Sequence, residues 1–342
     1  MIIVTINNQN LNMKKIPYTL FCSLFVAFSS SAKEISIPES ANWLISLDGE
    51  AFHKTRMGKF IMGKINETPN MKQKMDGLKN AFGVDLLKIR AVSAYGSGEK
   101  DKGTAFVNGG IKSKQLEGFA SLNDKVDIDE VGKVKTYTFN KGSLGILSEE
   151  SVVIASNKEL LVDSLDPQKG KNKNPIHSFV KSINRNQKPI VVFAANMLKF
   201  NRLNNKQKAD QTTTPKELAE NISKSLPSVI AGEVIFKKFK NMAIFLDEIQ
   251  DQIRVQVYFQ SSNNETATHL ENIFRSWPSL LALIGGVNPE LDELMKHVKF
   301  SVVRDSRNVG MTALLSHAFF ESKVEEELEK KKRKGRIQSK EK

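Results

Sequence analysis

The chain has 342 residues, 40% of them apolar and 26% charged, with a formal net charge of +13. Such a composition excludes wholesale disorder and supplies enough apolar surface for a sizeable core without covalent staples. The charge is local: residues 330–342 hold +7 and residues 1–32 hold +2, so 33–329 carry only +4, which argues against a broad nucleic-acid-binding face.

The stretch "MKKIPYTLFCSLFVAFSSSAKE" begins at Met13. Lys14 and Lys15 form a positive lead, Ile16–Phe28 is mostly apolar, and Ser30 and Ala32 put small residues before Lys33. These are the three parts of a secretory signal peptide. Residues 1–32 are therefore expected to be a signal peptide, with Met13 as the start and cleavage after Ala32. The apolar run is too short to span a bilayer as a helix, and no later segment is long enough. Cys22, the only cysteine, falls inside this segment, and Phe21 is too large to precede a lipidated cysteine. The mature chain is then exported, periplasmic or secreted, with no disulfide, thiolate nucleophile or Cys-ligated metal.

Residues 33–166 read as a first α+β unit. Trp43–Leu47 is a short apolar run suited to a buried strand. Met57, Phe60, Ile61 and Ile65 share one face of a helix. Thr68-Pro69 starts another helix, with Thr as N-cap and Pro at the first helical position, and Gly83 closes it. Strands follow at 89–95 and 104–109, joined by a Gly-rich turn. A helix at 113–122, strands at 134–140, 144–147 and 151–156, and a helix from Lys158 to Leu165 complete the unit. Residues 167–188 read as a linker and a short helix at 176–184.

A second unit spans 189–320. It opens on a strand, Ile190–Ala195, and has its own Thr-Pro helix start at Thr214-Pro215, with Glu217 completing a capping box. The polar stretch 204–214 reads as a loop. Strands near 234–247 and 252–260, a long apolar-faced helix from Leu270 to Ile284, a helix started by Asn288-Pro289, and strands at 300–304 and 309–316 follow. Residues 321–342 form a charged helix and basic tail. Trp43 and Ile190 are 147 residues apart, and Pro69 and Pro215 are 146 apart. The expectation is two tandem copies of one α+β unit, each a mainly antiparallel or mixed sheet with helices packed on one face.

"NWLISLD", then "GKF" (Gly58–Phe60) on an amphipathic helix, then "VSAYGSG" (Val92–Gly98), resemble a set of exported two-repeat α+β proteins of planctomycete and verrucomicrobial type bacteria. The resemblance covers the first half best. It implies export and tandem units. It carries no assigned activity and no catalytic residues.

The motifs of common chemistries are missing. No two of His53, His177, His269, His297 and His317 have the spacing that places a metal-binding pair on one helix face. "VDIDEVG" (126–132) lacks the closing ligands of a calcium loop and reads as a solvated turn. "GSGEKDKGT" (96–104) joins two strands instead of opening a helix, so it is a hairpin turn and not a phosphate loop. There is no serine elbow, and the Ser178–Lys181 pair lacks the partner motifs of a penicillin-recognising enzyme. No cofactor or metal is expected. Among the acids, Asp48 at the end of the first strand is the site candidate, with helix capping as the competing role. Asp247 and Glu248 end a later strand.

Three functions remain. The leading one is a non-enzymatic binding or scaffolding protein of the envelope or periplasm, with a ligand seat between the copies. A hydrolase of envelope or extracellular polymers, using dispersed carboxylates such as Asp48, is the second. The third is an anionic-surface binder acting through Lys330, Lys331, Lys332, Arg333, Lys334 and Arg336, since basic segments are drawn to anionic surfaces. The partner is an anionic envelope surface or another envelope protein, and behind a signal peptide a nucleic-acid partner loses its weight.

Overall fold

The computed structural model describes residues 37–99, 102–140, 142–166, 174–183, 188–198, 238–285, 293 and 295–338. The signal segment, the 204–214 stretch, the Thr214-Pro215 start with Glu217, and the Asn288-Pro289 start lie outside the described residues. The first part of the chain runs β1 (Trp43–Asp48), α1 (Gly49–Lys54), α2 (Arg56–Glu67), α3 (Pro69–Phe82), β2 (Ala91–Gly96), β3 (Gly103–Asn108) and α4 (Ser113–Ser121). A meander follows, β4 (Asp127–Val131), β5 (Val134–Phe139), β6 (Gly142–Ser148) and β7 (Ser151–Ala155), then α5 (Lys158–Leu165) and α6 (Pro175–Ile183). The rest is β8 (Val191–Asn196), β9 (Phe239–Ile249), β10 (Gln252–Ser261), α7 (Asn264–Gly285), β11 (Val298–Asp305), β12 (Asn308–Ser316) and α8 (His317–Gln338).

The architecture is α+β, built on a large antiparallel sheet. Among the described residues 12 strands join one sheet in the order β11-β12-β10-β9-β8-β1-β2-β3-β7-β6-β5-β4. The two halves meet along β1 and β8, which pair antiparallel with Ile45 opposite Phe193. One sheet thus runs through both halves, where a separate sheet for each was expected.

Helices cover both faces, and the expectation of a single covered face is corrected. The cause is the two-residue period of strands, which sends alternate apolar residues to opposite sides. On one face Leu44, Tyr95, Val192, Ala194 and Phe245 pack under Ile176 and Phe179 of α6. Further along that face Val153 and Ala155 pack under Leu161 of α5. On the other face Leu47, Leu246 and Ile253 meet Phe52, Met57, Ile61 and Phe320 from α1, α2 and α8, and Val309 meets Ala267, Leu270 and Phe274 of α7.

Local chemistry sets the helix ends. Thr55 caps α2, its Oγ1 accepting from the Gly58 N–H at 2.9 Å. Gly58 is required there, because a β-carbon would run into the Phe52 carbonyl. Thr68 holds the N-cap position of α3 with Pro69 first in the helix, but its side chain makes no capping bond. The hydroxyl donates backward to Lys64 O at 2.8 Å. Gly83 ends α3 in the left-handed region, φ 69°, where glycine is unstrained. The "VDIDEVG" stretch is not a turn. Its central residues are the outer strand β4, bonded only to β5, and the exposed carboxylates of Asp127, Asp129 and Glu130 discourage further strand addition.

Candidate functional site

The acidic candidates are all engaged in holding the fold. Asp48 Oδ1 accepts from the Ala51 N–H at 2.7 Å and caps α1, the competing role the sequence offered. Asp247 and Glu248 are adjacent in β9, so the strand's alternation sends them to opposite faces of the sheet. Asp247 is 5% exposed and forms a two-point ion pair with Arg254, directly opposite it on β10. That bond raises the Arg254 pKa further above its ordinary value. Glu248 accepts from the backbone N–H groups of Arg56 and Met57, each at 3.0 Å, at the start of α2. Buried His317 lies beside it, Nε2 3.4 Å from Glu248 Oε2.

Other candidates are also structural. Ser178 donates to Asn174 O at 3.2 Å, a bond within α6 and its cap. His297 stacks on Phe319 with ring centres 4.8 Å apart. Among the described residues no group of His, Cys, Asp or Glu is arranged to hold a metal. The helical backbone of α8 reaches Gln338, so the basic run lies on it. Lys330 is paired with Glu326 and Glu327, and its pKa is raised chiefly by the bond to Glu326. The side chains of Lys331, Lys332, Arg333, Lys334 and Arg336 lie outside the described ones.

One hollow lies beside α6, where that helix crosses the ends of β8, β9 and β10. Its volume is about 510 Å³. Asn174 fixes the helix that walls it. This fully buried side chain donates to the Pro38 and Ala41 carbonyls at 2.7 and 3.0 Å. Its oxygen accepts from the Ile176 and His177 N–H groups at 2.8 and 3.3 Å, which caps the helix. Pro175, Phe179 and Leu198 give the hollow apolar wall, and Ser178 and Ser182 give it hydroxyls. Ser182 donates inward to Phe179 O at 2.7 Å, which leaves its oxygen free to accept.

The hollow's most informative group is Asn241. It is 3% exposed. Its amide N–H donates to Gln260 Oε1 at 2.8 Å, and its carbonyl oxygen has no partner. A buried acceptor left unpaired costs about 1–3 kcal/mol, so it marks a place where a donor is wanted. Lys240, exposed at the rim, has no partner among the described residues.

No protein-family model matches the chain, and no curated protein matches it. Solved structures are similar at a distance. Crystal form III of TP0453 has a TM-score of 0.43 and 10% identity, over 84% of this chain and 97% of that one. Crystal form I of TP0453 has a TM-score of 0.40 and 10% identity, over 86% and 98%. No residue role passes across at that distance.

Sequence reasoning missed Asn174, Asn241 and Lys240. Asn174 stands next to Pro175, an N-cap followed by proline at the first helical position, and that signal was readable. Asn241 is one polar residue at a strand end. Nothing local marks it as buried.

Proposed function

We propose that the protein works by binding, not catalysis, as an exported protein of the bacterial envelope, with its ligand seated in the hollow beside α6. The unpartnered, buried carbonyl oxygen of Asn241 carries this reading. A ligand N–H or O–H meets its need, and the Lys240 ammonium nearby suits a carboxylate. The ligand is therefore a small polar molecule or chain end that presents a hydrogen-bond donor close to an anionic group. The hydrolase reading loses support: Asp48 is a cap, Asp247 is neutralised by Arg254, and Glu248 faces the other way. Among the described residues no helix is long and apolar enough to cross a membrane.

We also propose that the chain holds two related units, and the strand order supports this. Counting outward from the seam, β1-β2-β3-β7-β6 on one side matches β8-β9-β10-β12-β11 on the other. Between the third and fourth of these strands each half has a helix, α4 or α7. Ile45 and Phe193, opposite each other at the seam, differ by 148 in sequence, close to the offsets of 147 and 146 read from the chain. The β4–β5 hairpin is then an addition to the first unit.

The test uses the purified full chain in thermal-shift measurements with short peptides bearing a free carboxylate, N-acetylated sugars and uronic acids. Turnover is followed on ester, phosphate and glycan panels. Binding raises Tm by several degrees, and Asn241→Leu removes the rise. Turnover abolished by a single carboxylate substitution would overturn the reading.

A further inference from the structure

A second hollow, of about 380 Å³, lies where the end of α3, the segment before β2, the start of α4 and the β6–β7 turn converge. It is independent of the one beside α6. Its lining includes four cations, Lys79, Lys88, Arg90 and Lys112, and two carboxylates, Asp85 and Glu150. Both carboxylates are taken up: Lys79 holds Asp85 at 2.9 Å and Arg90 holds Glu150 at 2.6 Å. Lys88 and Lys112, both exposed, have no partner among the described residues. The lining thus keeps two uncompensated positive charges.

Its floor is backbone. Gly83, Gly109 and Gly110 line it, with φ of 69°, 81° and 67°. Added β-carbons would run into their surroundings: at Gly110 into the Asp85 carbonyl and the Lys88 backbone, at Gly83 into the Lys112 side chain. Glycine at these positions lets the Lys88 backbone and the Lys112 β-carbon lie close against the floor of the hollow. The two hollows also abut corresponding strand ends. Arg90 precedes Ala91, which pairs with Asp48 and Asn108, as Lys240 precedes Asn241, which pairs with Asn196 and Gln260. Each half presents a cation at that place.

We infer that this hollow binds a compact dianion of the phosphate or sulfate-ester class, held by Lys88 and Lys112. Two lysine ammonium groups act as point charges that suit a tetrahedral dianion, and the volume leaves room for the sugar or glycerol that carries it. Free phosphate esters and lipid headgroups share this chemistry.

The test is calorimetric titration of the full chain with inorganic phosphate, then with a phosphorylated sugar, at low and raised salt. A variant with Lys331, Lys332, Arg333, Lys334 and Arg336 changed to Gln removes the tail as a competing site. Saturable binding is expected in the wild type and the tail variant, weakened by salt. Affinity should fall at least ten-fold, or about 1.4 kcal/mol, in Lys88→Glu/Lys112→Glu with Tm unchanged, and less in Lys88→Gln alone. Co-sedimentation with phosphatidic acid vesicles separates the sources. Dependence on the same lysines assigns the headgroup, and independence with saturable soluble binding assigns the free ester. No saturable binding, equal binding by the double variant, or loss in the tail variant alone overturns the inference.

Discussion

Asp247 and Arg254 show how a charged side chain at a strand end comes to serve packing. They lie opposite each other on β9 and β10, and Asp247 is almost wholly out of water. Removing one partner strands the other, so Asp247→Ala or Arg254→Ala should each destabilise the fold by about 3–5 kcal/mol. An Asp247→Leu/Arg254→Leu double variant should recover most of that, and urea unfolding measures all three. The pair was partly legible in the sequence. The two residues are symmetric about the Gln250-Asp251 turn, but that turn uses positive φ without glycine and gives no Asn-Gly signal. Tyr95 offers a pH test. Burial pushes its pKa up to about 12. The unfolded chain ionises near pH 10, so stability is full below that pH and falls as pH rises towards 12, by roughly 2–3 kcal/mol in total. Tyr95→Phe should flatten that alkaline limb, as denaturant midpoints at successive pH values would show.

Among the elements, α6 was read correctly as a helix but not in its contacts. The helix itself was legible, expected at 176–184 and found at Pro175–Ile183. Its neighbours were not, because Asn174 reaches Pro38 and Ala41 far back in the chain and no local periodicity records such a bond. The helix roofs the junction of the halves, with Leu44 and Tyr95 from one and Val192 and Phe245 from the other in a single cluster. Asn174→Ala removes the cap and takes the side-chain donor from the Ala41 carbonyl, while the Pro38 carbonyl keeps the Ala41 N–H, so it should cost about 2–4 kcal/mol. Chemical denaturation measures the loss, and a smaller hollow beside α6 in a crystal structure would show that the wall had shifted. The β4 strand was missed for a simpler reason. Its acids gave it the polarity of a turn, and an outer strand can be polar because only one of its edges is paired.

For the whole molecule, antiparallel pairing was legible wherever two apolar runs flank a short turn. The single sheet was not, because the seam joins Ile45 to Phe193 and local pattern says nothing about contacts so distant. Amide exchange should be slowest in β1, β8 and β9, which have strands on both sides and helices above and below, and fastest in the β4–β5 hairpin. Mass-spectrometric exchange would rank them.

The seam also orders the events of folding. β1 lies at the centre of the finished sheet but is made first, and one of its sides stays bare until β8 is synthesised. Over that interval the nascent first half presents an apolar, hydrogen-bond-hungry edge to its surroundings. Until the chain's own second half is in place to compete, a neighbouring copy can supply the missing strand, and high protein concentration offsets the tethered strand's advantage. Refolding yield should therefore decline as protein concentration rises, with light scattering from exchanged and aggregated chains, and a holding chaperone should restore it.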